Sequence, residues 1–131
     1  QVGLAATHAS VVVWGGNNEV EASLAWGLTP SEDSGSVYVA DYQALFSGAV
    51  RDAVLSVDGG QRSFIDSSPS NGVLSTEPYV KAWGDVTDPT RGDVHFYDYT
   101  ADLEDPSFLP PARFVSEFGW QAYSSLLTLA A

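Results

Sequence analysis

Four short apolar segments, each bounded by turn-forming or charged residues, set the pattern of this chain. They cover residues 11–14, 63–66, 92–97 and 113–116. Each is short and contains β-branched or aromatic residues, which favours a strand over a helix. In the first segment three valines and a tryptophan follow one another, which is typical of a strand buried on both faces. We therefore predict four strands.

The clearest helical pattern lies between the first two strands, at residues 39–57. Seven apolar residues form one stripe there at helical spacing: Leu45, Phe46, Ala49, Val50, Ala53, Val54 and Val57. The sequence Asp58-Gly59-Gly60 ends this predicted helix, because glycine readily adopts the left-handed conformation at a helix C-terminus. Shorter helical stretches are expected within the first nine residues and after residue 126, whereas residues 20–26 allow a short helix or an ordered loop.

Three polar segments, 29–35, 67–72 and 98–111, have the composition of loops. Residues 73–91 show no clear periodicity, and we expect a long excursion without regular structure there. The tripeptide Arg91-Gly92-Asp93 matches an adhesion motif, but it leads directly into a predicted strand, so a structural role is the better interpretation.

The order of these elements predicts an α/β fold. Short apolar strands separated by a helix or by long connections are typical of parallel β/α units, whose crossovers are right-handed. We expect the four strands to lie parallel and adjacent in sequence order, with helix 39–57 on their outer face.

Two glutamates are the candidate catalytic groups. Glu19 comes after the first strand and the residues GGNN, and Glu117 directly follows the fourth strand. Side chains at the C-terminal ends of different parallel strands converge on one pocket. Paired carboxylates in different environments are the usual equipment for glycoside hydrolysis. The alternative for Glu19 is a solvated carboxylate in an ordinary turn, in which Asn17 and Asn18 cap the next segment.

Composition excludes several classes of function. The 131 residues suit one domain, and a hydrophobic content of 44% is sufficient for a core. Five basic and seventeen acidic residues give a net charge of −12. A surface with this charge repels phosphate groups, which argues against binding to nucleic acid or to anionic membranes. No apolar run approaches the length of a membrane span. The absence of cysteine excludes disulfides and thiolate metal sites.

Four motifs in order carry a resemblance to a known family. They are SVVVWGGNNE at 10–19, SSPSNG at 67–72, GDVHFYDY at 92–99 and ARFVSEFGWQ at 112–121. With them the chain resembles the catalytic-barrel portion of a β-mannosidase of glycoside hydrolase family 2, of the eukaryotic type. The resemblance extends over nearly the whole chain, and it implies retaining hydrolysis of terminal β-mannosyl residues.

The resemblance also implies roles for individual residues. In the family an Asn-Glu pair after barrel strand 4 carries the acid/base, which corresponds to Asn18 and Glu19. The nucleophile follows strand 7 in a Ser-Glu-Phe/Tyr-Gly motif, which corresponds to Glu117. Asn18 is then expected to contact the 2-hydroxyl group of the sugar.

Three further residues have expected positions at the sugar. The His-x-Tyr pattern that ends strand 6 corresponds to His95 and Tyr97, both expected at the substrate, with Tyr97 holding the nucleophile by a hydrogen bond. Trp26 falls where the family has a tryptophan near the sugar, and core packing and sugar contact are equally good interpretations of it. The resemblance implies neither a metal nor an organic cofactor.

Length sets the expected domain organisation. A closed eight-stranded barrel needs about 250 residues. Residues 1–131 are therefore expected to form one partial catalytic (β/α)8 (TIM) barrel domain, with about strands 4 to 7. The expected partners are a β-mannoside oligosaccharide and the remaining barrel and β-sandwich domains, on the same or another chain. By resemblance the location is lysosomal or secreted.

Two other classes of function remain open from the sequence. One is a carbohydrate-binding module that no longer turns over substrate, and the other is a structural half-barrel within a larger assembly. Under every alternative the isolated chain is expected to be inactive, because half of the pocket wall is missing.

Overall fold

The computed structural model describes residues 1–24, 32–102, 104–119 and 124–130. The α-helices are α1 (Val2–Ala5), α2 (Val20–Leu24), α3 (Glu32–Tyr42), α4 (Arg51–Asp58) and α5 (Leu126–Leu129). A π-helix at Gln43–Val50 joins α3 to α4, and a 3-10 turn covers Pro106–Phe108. The strands are β1 (Val13–Gly15), β2 (Ser63–Ile65), β3 (Val73–Thr76), β4 (Tyr79–Lys81), β5 (Val94–Phe96) and β6 (Val115–Phe118). None of these helices is both long and apolar enough to cross a membrane.

The predicted central helix is confirmed, but its start is wrong. Helical structure runs without a break from Glu32 to Asp58, so residues 32–35, expected in a loop, are helical. The sequence EDSGS at this point is polar and contains a glycine, so it lacks the apolar period that identifies a helix. The predicted end is confirmed, because Gly59 has a φ of 69° and its N–H donates to the Leu55 carbonyl.

Two parallel strand pairs form the framework. Strand β1 pairs with β2, with Trp14 opposite Phe64, and β5 pairs with β6, with His95 opposite Glu117. Each of these two pairs is parallel, as expected for its own strands. The expected ladder between the second and third predicted strands is not formed in the part of the chain that the structure describes. An isolated antiparallel bridge between Ser70 and Asp93 connects the pairs instead.

Two other expectations about strands are wrong. Residues 73–91, expected to lack regular structure, contain the antiparallel hairpin of β3 and β4. Each of its strands has only three or four residues, too few for a clear alternating pattern. Strand β6 begins and ends two residues later than predicted, so that Glu117 lies within the strand rather than after it.

The expected burial of the first strand is also not found. Val12 is 75% exposed and Val13 is 43% exposed. Among the described residues only β2 pairs with β1, so one edge of β1 faces solvent. The amino-acid composition correctly predicted a strand at this position. Burial of that strand would also require a second neighbouring strand, which the described residues do not provide.

Arg62 holds the end of α4 against the start of the chain. Its guanidinium and backbone N–H donate to the buried Asp58 carboxylate at 2.6 and 2.8 Å. The same guanidinium donates to the carbonyls of Ala6 and Val11, both at 2.7 Å. Burial alone would raise the pKa of Asp58, but the hydrogen bonds and positive charge of Arg62 lower it.

A buried ion cluster joins α2, the π-helix, the residue that follows β2, and β4. The ammonium of Lys81 in β4 lies 2.6 Å from the Glu21 carboxylate in α2 and 2.9 Å from Asp66 after β2. All three side chains are at most 3% exposed. Ser47 of the π-helix donates to the other Asp66 oxygen. Burial raises the pKa of Glu21, although Lys81 opposes the shift.

Lys81→Met should destabilise the chain strongly, because it leaves the Glu21 and Asp66 carboxylates buried without their cation. We expect the free energy of unfolding to fall by about 3–5 kcal/mol, measured by urea denaturation followed by tryptophan fluorescence. The matched control is Arg91→Met, which removes an exposed pair with Asp88 at 3.6 Å. That variant should change the free energy by less than about 1 kcal/mol. Equal losses in the two variants would contradict the importance of the buried cluster.

Candidate active site

The turn after β1 is held tightly against the end of β2. A Cβ atom on Gly16 would lie 2.7 Å from the Asp66 carbonyl oxygen, so only glycine fits this close approach. Asn17 donates to the same carbonyl at 2.6 Å. Its side-chain oxygen accepts from the Val20 N–H at the start of α2 and from the Ser67 hydroxyl. These contacts fix the GGNN segment as a rigid support for the next residue.

Glu19 is held in an unusual backbone conformation. Its φ is 60°, and among the described residues it is the only non-glycine residue with a positive φ. Its N–H donates to the Ser68 carbonyl at 2.8 Å, and Ser68 in turn donates its N–H to Asn17. A positive φ at such a residue costs of order 1–3 kcal/mol and is found mostly at functional sites. The surrounding hydrogen bonds therefore impose the direction of this side chain.

Strands β5 and β6 bring a second carboxylate to the same place. Tyr97 donates its hydroxyl hydrogen to the Glu117 carboxylate at 3.0 Å. The Nδ1 atom of His95 lies 2.8 Å from a Glu19 oxygen and 3.5 Å from a Glu117 oxygen. His95 thus lies between the two glutamates and connects the β1 turn to the β5–β6 pair.

The distance between the two carboxylates can be compared with the spacing found in glycosidases. One oxygen of Glu19, one of Glu117 and a ring nitrogen of His95 all lie within 4.8 Å of one another. In glycosidases a carboxyl spacing of about 5–5.5 Å favours a covalent intermediate and retention, whereas inverting enzymes need about 6.5–9.5 Å. Both glutamates are over one-third exposed, at 36% and 38%, so a substrate can reach them.

The same three side chains form the group in the described part of the chain that is best placed to hold a metal ion. The hydrogen bond from Tyr97 and the His95–Glu19 contact already explain why these groups lie so close together. The arrangement therefore needs no ion to account for it.

The other expected site residues differ in position. Asn18 is exposed beside Glu19 and forms a single parallel bridge with Ser68. Trp26 lies outside the described residues. His95 is only 5% exposed, and its second ring nitrogen is 3.0 Å from the Ser68 hydroxyl, so both nitrogens are engaged by protein groups.

The sequence of this chain is similar to those of several β-mannosidases. No family model matches the chain. Curated relatives do match: β-mannosidase of Rattus norvegicus is 43% identical over 126 residues, which is 94% of this chain and 14% of the rat protein. β-Mannosidase of Bos taurus is 41% identical over 94% of the chain and 14% of its own length. A probable β-mannosidase of Caenorhabditis elegans is 38% identical over 88% of the chain and 13% of its own length.

The chain is similar to one part of these β-mannosidases. It spans about one-seventh of the length of these relatives. The matched region contains both candidate glutamates, and the similarity agrees with the resemblance that the four sequence motifs predicted.

One group at the candidate site was not singled out from the sequence. Asp93 is buried and accepts hydrogen bonds from Ser68 and Ser116, each at 2.6 Å. All three residues lie within the four motifs. They are far apart in the sequence, however, and nothing in the pattern of serines and a single aspartate indicates that they contact one another. The burial of Asp93, together with the contact of Gly92 with the Ser70 backbone, confirms a structural role for the adhesion-like tripeptide.

The Tyr97 phenol should ionise at a higher pH than a free tyrosine. Its hydrogen bond to the ionised Glu117 and the negative charge there raise the pKa, because both favour the neutral phenol over phenolate. Glu117→Gln removes the charge and should lower the pKa of Tyr97 toward its ordinary value, as measured by NMR of ring-labelled tyrosine. Glu77→Gln, an exposed change in the β3–β4 turn, is the control and should leave this titration unmoved. A Tyr97 titration that is identical in Glu117→Gln and in the unsubstituted chain would contradict the contact.

Proposed function

We propose that this chain is part of the catalytic barrel of a β-mannosidase of glycoside hydrolase family 2, which removes terminal non-reducing β-D-mannosyl residues with retention. The observation that carries the proposal is the meeting of Glu19 and Glu117 within 4.8 Å in a chain homologous to β-mannosidases. The substrate class is a β-mannosyl oligosaccharide or glycoprotein glycan. The compartment that fits this role is lysosomal or extracellular.

The partial (β/α)8 barrel is the architecture that we propose for the segment. Two parallel strand pairs and a helix between β1 and β2 support it. The strands border an open space of about 370 Å³, whose lining includes Val13, Ile65 and Phe114. In a closed barrel such a space is filled by layers of side chains from other strands. The rest of the barrel and the β-sandwich domains would come from elsewhere in the longer protein.

The proposed mechanism gives each glutamate a different task. Glu117, ionised and held by Tyr97, attacks the anomeric carbon and forms a covalent glycosyl-enzyme. Glu19, protonated, gives its proton to the departing oxygen. In the second step Glu19 acts as the base that activates water, and the sugar leaves with its original configuration. The positive φ of Glu19 supports this assignment, because strain of this kind is stored at functional positions.

Two residues are proposed to bind the sugar. Asn18 is exposed next to Glu19, a position from which its amide can meet the 2-hydroxyl group. By resemblance we also propose Trp26, which lies outside the described residues, as a sugar contact, since an aromatic ring provides an apolar face for the pyranose.

Variants of the two glutamates in the full-length polypeptide should lose activity in different ways. Glu117→Ala should abolish turnover of every β-mannoside, because it removes the carboxylate that we propose attacks the anomeric carbon. Glu19→Ala should reduce turnover most for leaving groups that need a proton and least for activated aryl mannosides. With an activated substrate, added azide should restore turnover of Glu19→Ala and yield the β-mannosyl azide, since two inversions restore the configuration.

The controls for this experiment are internal to the chain. Glu104→Ala removes another exposed glutamate and should leave turnover unchanged. The 131-residue chain by itself should show no hydrolysis, because half of the pocket wall is missing. An α-configured azide product, or equal losses with good and poor leaving groups, would remove Glu19 from the acid/base role.

A further inference from the structure

A buried carboxylate is connected through Ser68 to His95, which lies beside the two glutamates. Asp93, before β5, is 8% exposed and accepts three hydrogen bonds. The Ser70 N–H donates to one oxygen at 3.0 Å, and the hydroxyls of Ser68 and Ser116 donate to the other at 2.6 Å each. Short bonds of this kind to a carboxylate are about twice as strong as neutral ones, so they fix the orientation of both hydroxyls.

The orientation of Ser68 determines which nitrogen of His95 carries a hydrogen. A hydroxyl has a single hydrogen, and that of Ser68 points to Asp93. The Ser68 oxygen therefore offers a lone pair to the Nε2 atom of His95 at 3.0 Å. Only a protonated Nε2 makes a hydrogen bond there, so the ring carries its hydrogen on the side facing Ser68.

The opposite side of the ring faces the two candidate catalytic groups. With Nε2 protonated, neutral His95 has a lone pair on Nδ1, which lies 2.8 Å from Glu19 Oε1. A lone pair and an ionised carboxylate repel one another at this distance. Before the reaction begins, one proton therefore lies between the two atoms, either on Glu19 or on Nδ1.

The other charged and titratable groups around His95 are already engaged elsewhere. Tyr97, directly after the strand that carries His95, donates to Glu117. Glu117 on β6 lies farther from Nδ1, at 3.5 Å. Asp93 is separated from the ring by Ser68. The proton on the Nδ1 side is thus shared with Glu19 in preference to its neighbours.

We propose that Ser68 and Asp93 are positioning residues, which fix His95 with a hydrogen on Nε2 so that Nδ1 holds a proton in common with Glu19. The proposal rests on the proposed function in one respect, since it makes this proton the one that Glu19 delivers to the departing oxygen. When that proton leaves, Nδ1 and the Glu19 carboxylate face each other without a hydrogen. The proton taken from water in the second step then restores the bond.

The composition of the chain makes the ring directly observable. It contains only two histidines, His8 and His95. His8 is exposed and serves as the internal reference for an unconstrained ring. With nitrogen-15 in both rings, NMR shifts distinguish a hydrogen on Nε2, a hydrogen on Nδ1, and the doubly protonated ring. We expect His95 to carry a hydrogen on Nε2 throughout the neutral pH range.

Two serine variants test the cause. Ser68→Ala removes the acceptor of the Nε2 hydrogen, so the ring should shift toward a mixture in which the Nδ1-protonated form is present. Ser116→Ala is the matched control, because it removes another hydroxyl from Asp93 without contact to His95, and it should leave the Nε2 hydrogen in place. A neutral ring protonated on Nδ1 in the unsubstituted chain, or identical spectra for Ser68→Ala, would overturn the proposal.

A second measurement uses the full-length polypeptide. Ser68→Ala should lower kcat about tenfold or more for alkyl β-mannosides, which need a proton, and far less for a dinitrophenyl β-mannoside. A merely structural role would lower both alike, and that result would overturn the proposal. The outcomes distinguish the two proposals. If His95 carries a hydrogen on Nε2 but the full-length polypeptide does not cleave β-mannosides, the proposed function is wrong. If it cleaves them while the neutral ring is protonated on Nδ1, the positioning role of Ser68 and Asp93 is wrong.

Discussion

Hydrogen bonds from one buried segment, residues 66–70, hold the two strand pairs in a fixed relation. Asp66 binds Lys81 on one side, and its carbonyl accepts from Asn17 in the turn after β1. Ser68 binds the backbone of Glu19 and the ring of His95, and Ser70 contacts Asp93. Because these groups are buried, each unmade bond would cost about 1–3 kcal/mol. The segment therefore fixes where both glutamates can lie, although it contains neither of them.

Polar contacts, more than apolar packing, organise this part of the molecule. The described core contains few fully buried apolar side chains, whereas Asp58, Asp66, Lys81 and Asp93 are all buried and paired. Large apolar residues such as Phe114 and Phe118 are 64% and 74% exposed. This distribution agrees with a segment that, in the proposed barrel, would complete its apolar layers with strands from the rest of a longer protein.

The sequence allowed correct prediction of features that depend on local pattern. The parallel pairs, the end of α4 at Gly59 and the meeting of Glu19 with Glu117 all followed from strand composition, turn residues and the position of polar groups after strands. Features that depend on distant partners were not predictable. The Lys81 cluster joins residues up to 60 positions apart, and no local signal marks such a pairing. The π-helix at Gln43–Val50 also has no pattern distinct from an ordinary helix.

We propose that Glu117 forms a covalent bond to the sugar. The most direct test is to treat the full-length polypeptide with a 2-deoxy-2-fluoro mannosyl donor that has a good leaving group, so that the glycosyl-enzyme forms faster than it breaks down. Peptide mass analysis should then find one fluoromannosyl group, on the peptide of β6 and at Glu117. The Glu117→Gln variant should remain unlabelled. A label on Glu19, or inactivation without a covalent adduct, would contradict the assignment of the nucleophile.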